Sequence, residues 1–277
     1  MTVRIAPTDL AEFDSCARKH FYRRSFPHLR MVEPLGEEAH RLLCAMLNYQ
    51  LADQPIDFPV PAGLLASFRQ RIVPDVQMLC RQGVRVMTEA TLTLPLHGDL
   101  IAEAWEGETI LLSARADVAF MDAEGPLAIF DYKFFSSTTA VERFSQMLPA
   151  SPQFMVYRSM LASSATEQAE RRLVYYLFVG DPAGDLTIER RTYTFAPGDM
   201  PLVWLQQTVG NYLQQWVVRR QISAKPRSDG VCVRCEFSEI CEYPSRASSA
   251  SSAYDDLILS EADREEGVII DWPTFSP

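Results

Sequence analysis

Asp131 and Lys133 stand two residues apart in Ile129-Phe-Asp-Tyr-Lys133, a run with the alternation of a β-strand. Alternation puts both side chains on one face, with Leu127 and Ile129 beside them and Ala128, Phe130 and Tyr132 opposite. Residues 109–121 alternate as well, and Asp122-Ala-Glu-Gly-Pro126 between the two runs reads as a hairpin turn. If Met121 faces Leu127 across that turn, Asp117 faces Asp131. Like charges opposed on one face destabilise a sheet, and apolar neighbours such as Val118, Ile129 and Phe130 add a desolvation cost. A hard divalent cation between the carboxylates removes both objections. Lys133 then has a place: it can ease deprotonation of a water beside the cation and offset anionic charge in a transition state. Taken alone, the triplet also fits two exposed hairpin residues.

The second constellation is cysteine. Cys16 stands alone near the N-terminus, and Cys232, Cys235 and Cys241 form C-x2-C-x5-C near the other end. One remote thiolate and three clustered ones supply four ligands, a set that suits Zn²⁺ or a [4Fe–4S] cluster. Only one C-x2-C pair is present, whereas structural zinc sites commonly carry two such knuckles. Cys44 falls in an apolar helical pattern and Cys80 beside Leu79, as packed core residues do.

These residues need elements to hold them. Thr8 reads as the N-cap of a helix that leads to Cys16. A helical period over 36–51 carries Gly36-Glu-Glu-Ala-His40, placing His40 early on a helix before the hairpin. A second helix is predicted over 62–83, and strands over 85–95 and 99–105. After the hairpin (109–121 and 127–135), a helix over 138–163, interrupted near Pro149 and Pro152, puts Gln153 and Tyr157 on one face at i and i+4. Strands at 172–180 and 186–195 and an amphipathic helix over 199–222 precede the cysteine segment. This order predicts an α/β fold on a mixed central sheet flanked by helices. Residues 245–253 are mostly Ser and Ala and read as a linker, dividing the chain into a domain of residues 1–244 and a tail of 245–277.

In family order, the motifs are Leu10-Ala-Glu-Phe-Asp-Ser-Cys16-Ala-Arg-Lys-His-Phe-Tyr22, Gly36-x3-His40, Asp117, Asp131-Tyr132-Lys133, Gln153-x3-Tyr157 and the C-terminal cysteine triplet. The chain thereby resembles the PD-(D/E)XK nuclease superfamily, in its RecB-like branch with an iron–sulfur cluster. That branch includes CRISPR-associated exonucleases and AddB-type helicase–nucleases. The likeness covers about residues 8–243. Ala114 replaces the family's usual Gly three residues before the first Asp, and Ala17 a frequent Pro after the first Cys. The resemblance implies a restriction-endonuclease-like sheet, with a cysteine-clamped subregion joining the two ends. It implies that His40, Asp117, Asp131 and the Tyr132 carbonyl bind Mg²⁺ or Mn²⁺, and that Lys133 acts with the attacking water. Gln153 and Tyr157 would support the site or hold the DNA backbone. Cys16, Cys232, Cys235 and Cys241 would hold the [4Fe–4S] cluster. The reaction would be phosphodiester hydrolysis leaving a 5′-phosphate, on single-stranded DNA or DNA ends, in repair or recombination, CRISPR spacer acquisition or antiviral defence.

Composition fits a globular chain: 277 residues, 47% hydrophobic and 22% charged. No apolar run reaches the roughly 18 residues that span a bilayer, and the N-terminus has no secretory core, so a cytoplasmic protein with no membrane partner is expected. The net charge of −10 argues against a general nucleic-acid-coating surface, but it is uneven. Residues 251–277 carry seven acids and one base, whereas Arg18–Arg24 forms a basic, aromatic run that fits a local DNA patch or a solvated helix face. The acidic tail fits a competitor of DNA, a protein-partner peptide or a solubilising end. Two further functions stay open: an inactive DNA-binding or scaffold subunit with a nuclease fold, and a zinc-ribbon interaction protein of unrelated fold.

Overall fold

One long strand, β3 (Thr109–Asp122), organises the sheet. In the computed structural model, which describes residues 2–25, 34–96, 109–163 and 170–218 together with Cys235, Phe237 and Cys241, six strands form one mixed sheet. The chain divides into the units Met1–Ser238 and Glu239–Pro277, and the fold described is that of the first. β2 (Arg85–Leu96) runs antiparallel along one edge of β3, from Arg85 against Met121 to Leu96 against Ile110. A strand has two edges, so the remaining partners of β3 share the other. β1 (Thr2–Ile5), which the sequence pattern did not reveal, lies parallel to Thr109–Leu112. β4 (Gly125–Phe135) pairs antiparallel with Val118–Asp122. Between them, residues 113–117 of β3 meet no strand on that edge among the described residues, which leaves a notch in the sheet. β5 (Arg171–Gly180) is parallel to β4, and β6 (Leu186–Phe195) is antiparallel to β5.

Helices cover both faces, as the alternating elements require. On one face α7 (Pro152–Ala162) packs on β3, β4 and β5, in a core with Ala119, Ile129, Tyr175 and Leu177. On the other, α3 (Pro34–Leu51) crosses β2, β3 and β4, and its Leu43, Met46 and Leu47 join Val118, Phe130, Tyr176 and Phe178. α4 (Ala62–Ser67) and α5 (Val73–Cys80) add to that second core, joined by a π-helical segment, Phe68–Ile72. The helix expected over 138–163 is split at its prolines into α6 (Thr138–Met147), a 3₁₀ turn (Leu148–Ala150) and α7. Ser137 and Ser151 cap the two helices, their hydroxyls accepting from the amides of Ala140 and Phe154. The last helical run starts at Leu202, not 199, and alternates α-helical turns with π-helical ones as far as Val218.

Local chemistry corrects several expectations. Helix α1 (Pro7–Ser15) is capped at Ala6, not Thr8: Pro7 takes the first helical position, and the Asp9 carboxylate accepts the Ala6 amide at 2.9 Å. Met121 faces Pro126, not Leu127, because a β-bulge at Phe120/Met121 takes up one residue of the hairpin. Leu127 therefore packs with the α3-side core rather than beside Ile129. Beyond the bulge the expected register returns at Phe120↔Ala128, Ala119↔Ile129 and Val118↔Phe130, and there the ladder ends. Asp117 and Asp131 are thus not a ladder pair. Arg171, fully buried, fixes the turn to the start of β5 through Asp122 Oδ2 at 2.7 Å. Cys44 is 4% exposed, as a core residue should be, whereas Cys80 is only half-buried. The strand expected at 99–105, the linker, the acidic tail and Cys232 lie outside the described residues. No helix among the described residues is long and apolar enough to cross a membrane.

Candidate active site

The notch is where the polar residues gather. At its edge the Asp117 carboxylate accepts the Tyr132 amide through Oδ2 at 2.6 Å, replacing the ladder bond lost where β3 and β4 separate. The N–H and C=O of one strand residue point to the same edge, so the Tyr132 carbonyl turns toward the notch as well. Asp117 Oδ1 lies 3.1 Å from His40 Nδ1. His40 arrives there because it shares a helical stripe with Leu43, Cys44 and Leu47, which face the sheet. Its ring also meets Phe134 edge-on at 5.5 Å between centroids.

Asp131 and Lys133 share the α7 face of β4, as alternation predicts, and Lys133 Nζ lies 2.6 Å from Asp131 Oδ2. Asp131 is 2% exposed. Gln153 and Tyr157, one helical turn apart on α7, both reach it: the amide nitrogen and the phenol oxygen each lie 3.2 Å from Oδ1. The Tyr157 hydroxyl has one proton and is closest to the carbonyl of Arg115, at 2.7 Å. It thus places a donor in the notch, where no strand among the described residues pairs with β3. Tyr157→Phe is expected to leave that carbonyl unsatisfied, costing about 1–3 kcal/mol of stability, readable by urea denaturation. A loss below about 0.5 kcal/mol would mean that water replaces the hydroxyl.

Electrostatics follow burial. Burial pushes the Asp131 carboxyl above its ordinary range; Lys133 pulls it down and Asp117 pushes it up, with the balance upward. For Lys133 burial works against the ammonium, but Asp131 and Asp117 outweigh it and hold the lysine charged. Burial and the neighbouring carboxylates likewise keep Tyr157 protonated. Asp131 Oδ2 is buried, and its partner there is the Lys133 ammonium. Hard oxygens from two carboxylates and a carbonyl suit Mg²⁺ or Mn²⁺. Among the described residues no three of His, Cys, Asp and Glu stand close enough together to hold a metal ion by themselves. Mg²⁺ does not require that: it commonly uses one or two carboxylates, completing its shell with waters and substrate phosphates.

The sequence from residue 4 to residue 242 matches the model of the PD-(D/E)XK nuclease superfamily. The chain belongs to the PD-(D/E)XK nuclease superfamily. Its mixed sheet, covered by helices on both faces, is consistent with the restriction-endonuclease-like fold. Among solved structures, SSO0001 is 17% identical with a TM-score of 0.41, covering 88% of this chain and 87% of its own. The alkaline exonuclease LHK-Exo from Laribacter hongkongensis is 11% identical with a TM-score of 0.32, covering 78% of this chain and 89% of its own. Its complex with dAMP is 12% identical with a TM-score of 0.29, covering 77% and 91%. A comparison with curated proteins finds no match.

Of the cysteines expected to hold a cluster, Cys16 is buried between α1 and α2 (Ala17–Ser25). Cys235 and Cys241 are half-buried, and none of the described cysteines is in a disulfide. Phe237, in the cysteine segment, is 1% exposed and packs against Tyr22 of α2 at 5.6 Å between ring centroids. The basic run at Arg18–Arg24 is partly neutralised: Arg23 pairs with Glu12 and Arg24 with Asp9, at 2.7 Å, while His20 is fully buried against Tyr212. Sequence reasoning missed Glu89 and Arg115, which form an ion pair next to the notch. Glu89 has a backbone φ of +49°, which nothing in its strand-like context signals.

Proposed function

We propose that this protein is a metal-dependent DNA nuclease of the RecB-like branch, acting on single strands or ends as an exonuclease. The observation that carries the reading is the convergence of Asp117, Asp131, Lys133 and His40 on the notch between β3 and β4. Asp117, Asp131, the Tyr132 carbonyl and His40 would hold Mg²⁺ or Mn²⁺, His40 by releasing Asp117. When bound, the cation supplies Lewis acidity toward the phosphoryl oxygen and makes a water more acidic. Lys133 holds its ammonium beside Asp131, where it offsets the charge that develops on the phosphorane-like transition state. Gln153 donates to the Asp131 carboxylate and holds it in one orientation, while Tyr157, its proton on the Arg115 carbonyl, packs beside it. Hydrolysis leaves a 5′-phosphate.

The same reading places a [4Fe–4S] cluster on Cys16, Cys232, Cys235 and Cys241 within a nuclease domain of residues 1–244. It is supported by the packing of Phe237, two residues after Cys235, on Tyr22 of the helix that follows Cys16. The protein would work in the cytoplasm in DNA repair or recombination, CRISPR adaptation or antiviral defence, with the acidic tail meeting a protein partner. The deciding experiment is cleavage of 5′- and 3′-labelled single- and double-stranded oligonucleotides with Mg²⁺ or Mn²⁺. Cutting from an end that stops with chelator is expected. DNA binding without cutting under either cation would leave the inactive scaffold in its place.

A further inference from the structure

β2 and β3 exchange faces at the same point. On β3, Ile110, Leu112, Ala114 and Ala116 enter the α7-side core, but Val118 and Phe120 enter the α3-side core. On β2, Ala90, Leu92 and Leu96 lie on the α7 side and Val86 on the α3 side. A regular strand keeps residues i and i+2 on one face, so both strands depart from period two, without slipping register. The flanking pairs are Thr88↔Val118 and Ala90↔Ala116, which puts Glu89 across from Asp117 at the inversion. Glu89 is left-handed, with φ +49°, and apart from it only Asp53 among the described non-glycine residues has a positive φ. That conformation is strained for a residue with a Cβ. The Cys44 thiol lies 3.7 Å from the Asp117 carbonyl and also contacts the Glu89 backbone, so α3 clasps both strands here, one turn after His40. The Glu89 side chain itself is half exposed and paired with Arg115.

We infer that Glu89 is a positioning residue: its left-handed backbone inverts the β2–β3 ribbon and so aims the Asp117 carboxylate into the notch, toward His40 and the Tyr132 amide. Without the inversion, Asp117 would follow Arg115 or Ala119 onto one face of the sheet and leave the gap beside β4. Its carboxylate is not what the position needs; its backbone is. The kinetic consequence rests on the nuclease reading, but the structural one does not.

The test separates backbone from charge at residue 89. Glu89→Gly and Glu89→Asn favour the left-handed region, and Glu89→Gln keeps the wild-type backbone tendency without the charge. Glu89→Val strongly disfavours it. Glycine, asparagine and glutamine are expected to keep kcat within about threefold of wild type. Valine is expected to lower kcat on the order of 100-fold with little change in KM, the effect of a misplaced catalytic group. The second readout is the His40 imidazole resonance, assigned among the chain's four histidines with His40→Gln. It should shift in Glu89→Val and stay in place in the other three. If Glu89→Val does not fold, Glu89→Thr carries the same contrast more mildly. Wild-type kcat with an unmoved His40 signal in the β-branched variant would overturn the inference. So would Glu89→Gln losing as much rate as valine, since the Arg115 pair would then carry the effect. A wild-type protein that cuts nothing refutes the nuclease reading alone, and the His40 resonance then decides the positioning role.

Discussion

Asp131→Asn is expected to abolish cleavage and, in the presence of chelator, to raise the melting temperature. The first effect follows from the site: the amide keeps the shape but cannot supply the anionic oxygen, and losses on the order of 10³-fold or more are usual for such groups. The second follows from linkage. The folded pKa of the Asp131 carboxyl lies above its unfolded value, even with Lys133 at 2.6 Å pulling the other way. Stability tied to such a group is fully present below the unfolded pKa, about 3.9, and is lost as pH rises through the folded pKa. At neutral pH the cation-free protein carries that penalty, and the neutral amide removes it, offset by a weaker hold on the Lys133 ammonium. Each kcal/mol recovered should appear as roughly 2–4 °C in a domain of this size. Mg²⁺ or Mn²⁺ should stabilise the wild type and not the variant. Undiminished cleavage would sink the site assignment; a fall in melting temperature would show that the Lys133 pair outweighs burial and Asp117.

Cys16→Ala and Cys235→Ala should each strip the iron and destabilise the whole domain, while Cys44→Ala leaves the cluster in place. In the proposed cluster, ligation would make metal binding part of folding, so losing one ligand would remove much of a binding energy that is large in structural metal sites. A fall of more than about 10 °C in melting temperature is expected. Cys16 is buried at the junction of α1 and α2, and Phe237 packs against Tyr22 of α2. Anaerobically purified protein should be brown and contain iron and sulfide. Stoichiometric zinc without iron would refute the cluster.

The strands and helices near the site were legible because period and punctuation agree there. Asp131 and Lys133 share a face because β4 alternates without interruption from Ala128 onward, and Gln153 and Tyr157 share one because Ser151-Pro152 starts a fresh helix in phase. The register of Phe120, Ala119 and Val118 against β4 was readable from the turn, but the bulge that moves Leu127 to the other core was not, since Phe120 and Met121 are equally apolar. β1 was hidden by its length of four residues. The notch arises from two strands of distant sequence sharing one edge of β3, a non-local fact. The inversion at Glu89 was invisible for a related reason: alternation is intact on either side of it, and only the change of core reveals the switch.

A sheet edge with unpaired amides and carbonyls ordinarily invites another chain to add a strand, and proteins blunt such edges to avoid aggregation. The notch on β3 is an edge of another kind. It spans residues 113–117, closed at one end by β1 and at the other by β4, with Tyr157 occupying its middle. A strand of ordinary length, about five or six residues and flanked by more chain, has no way to enter a recess bounded at both ends. The notch would therefore admit a small group while excluding a polypeptide strand, so among the described residues it offers no open edge for self-association.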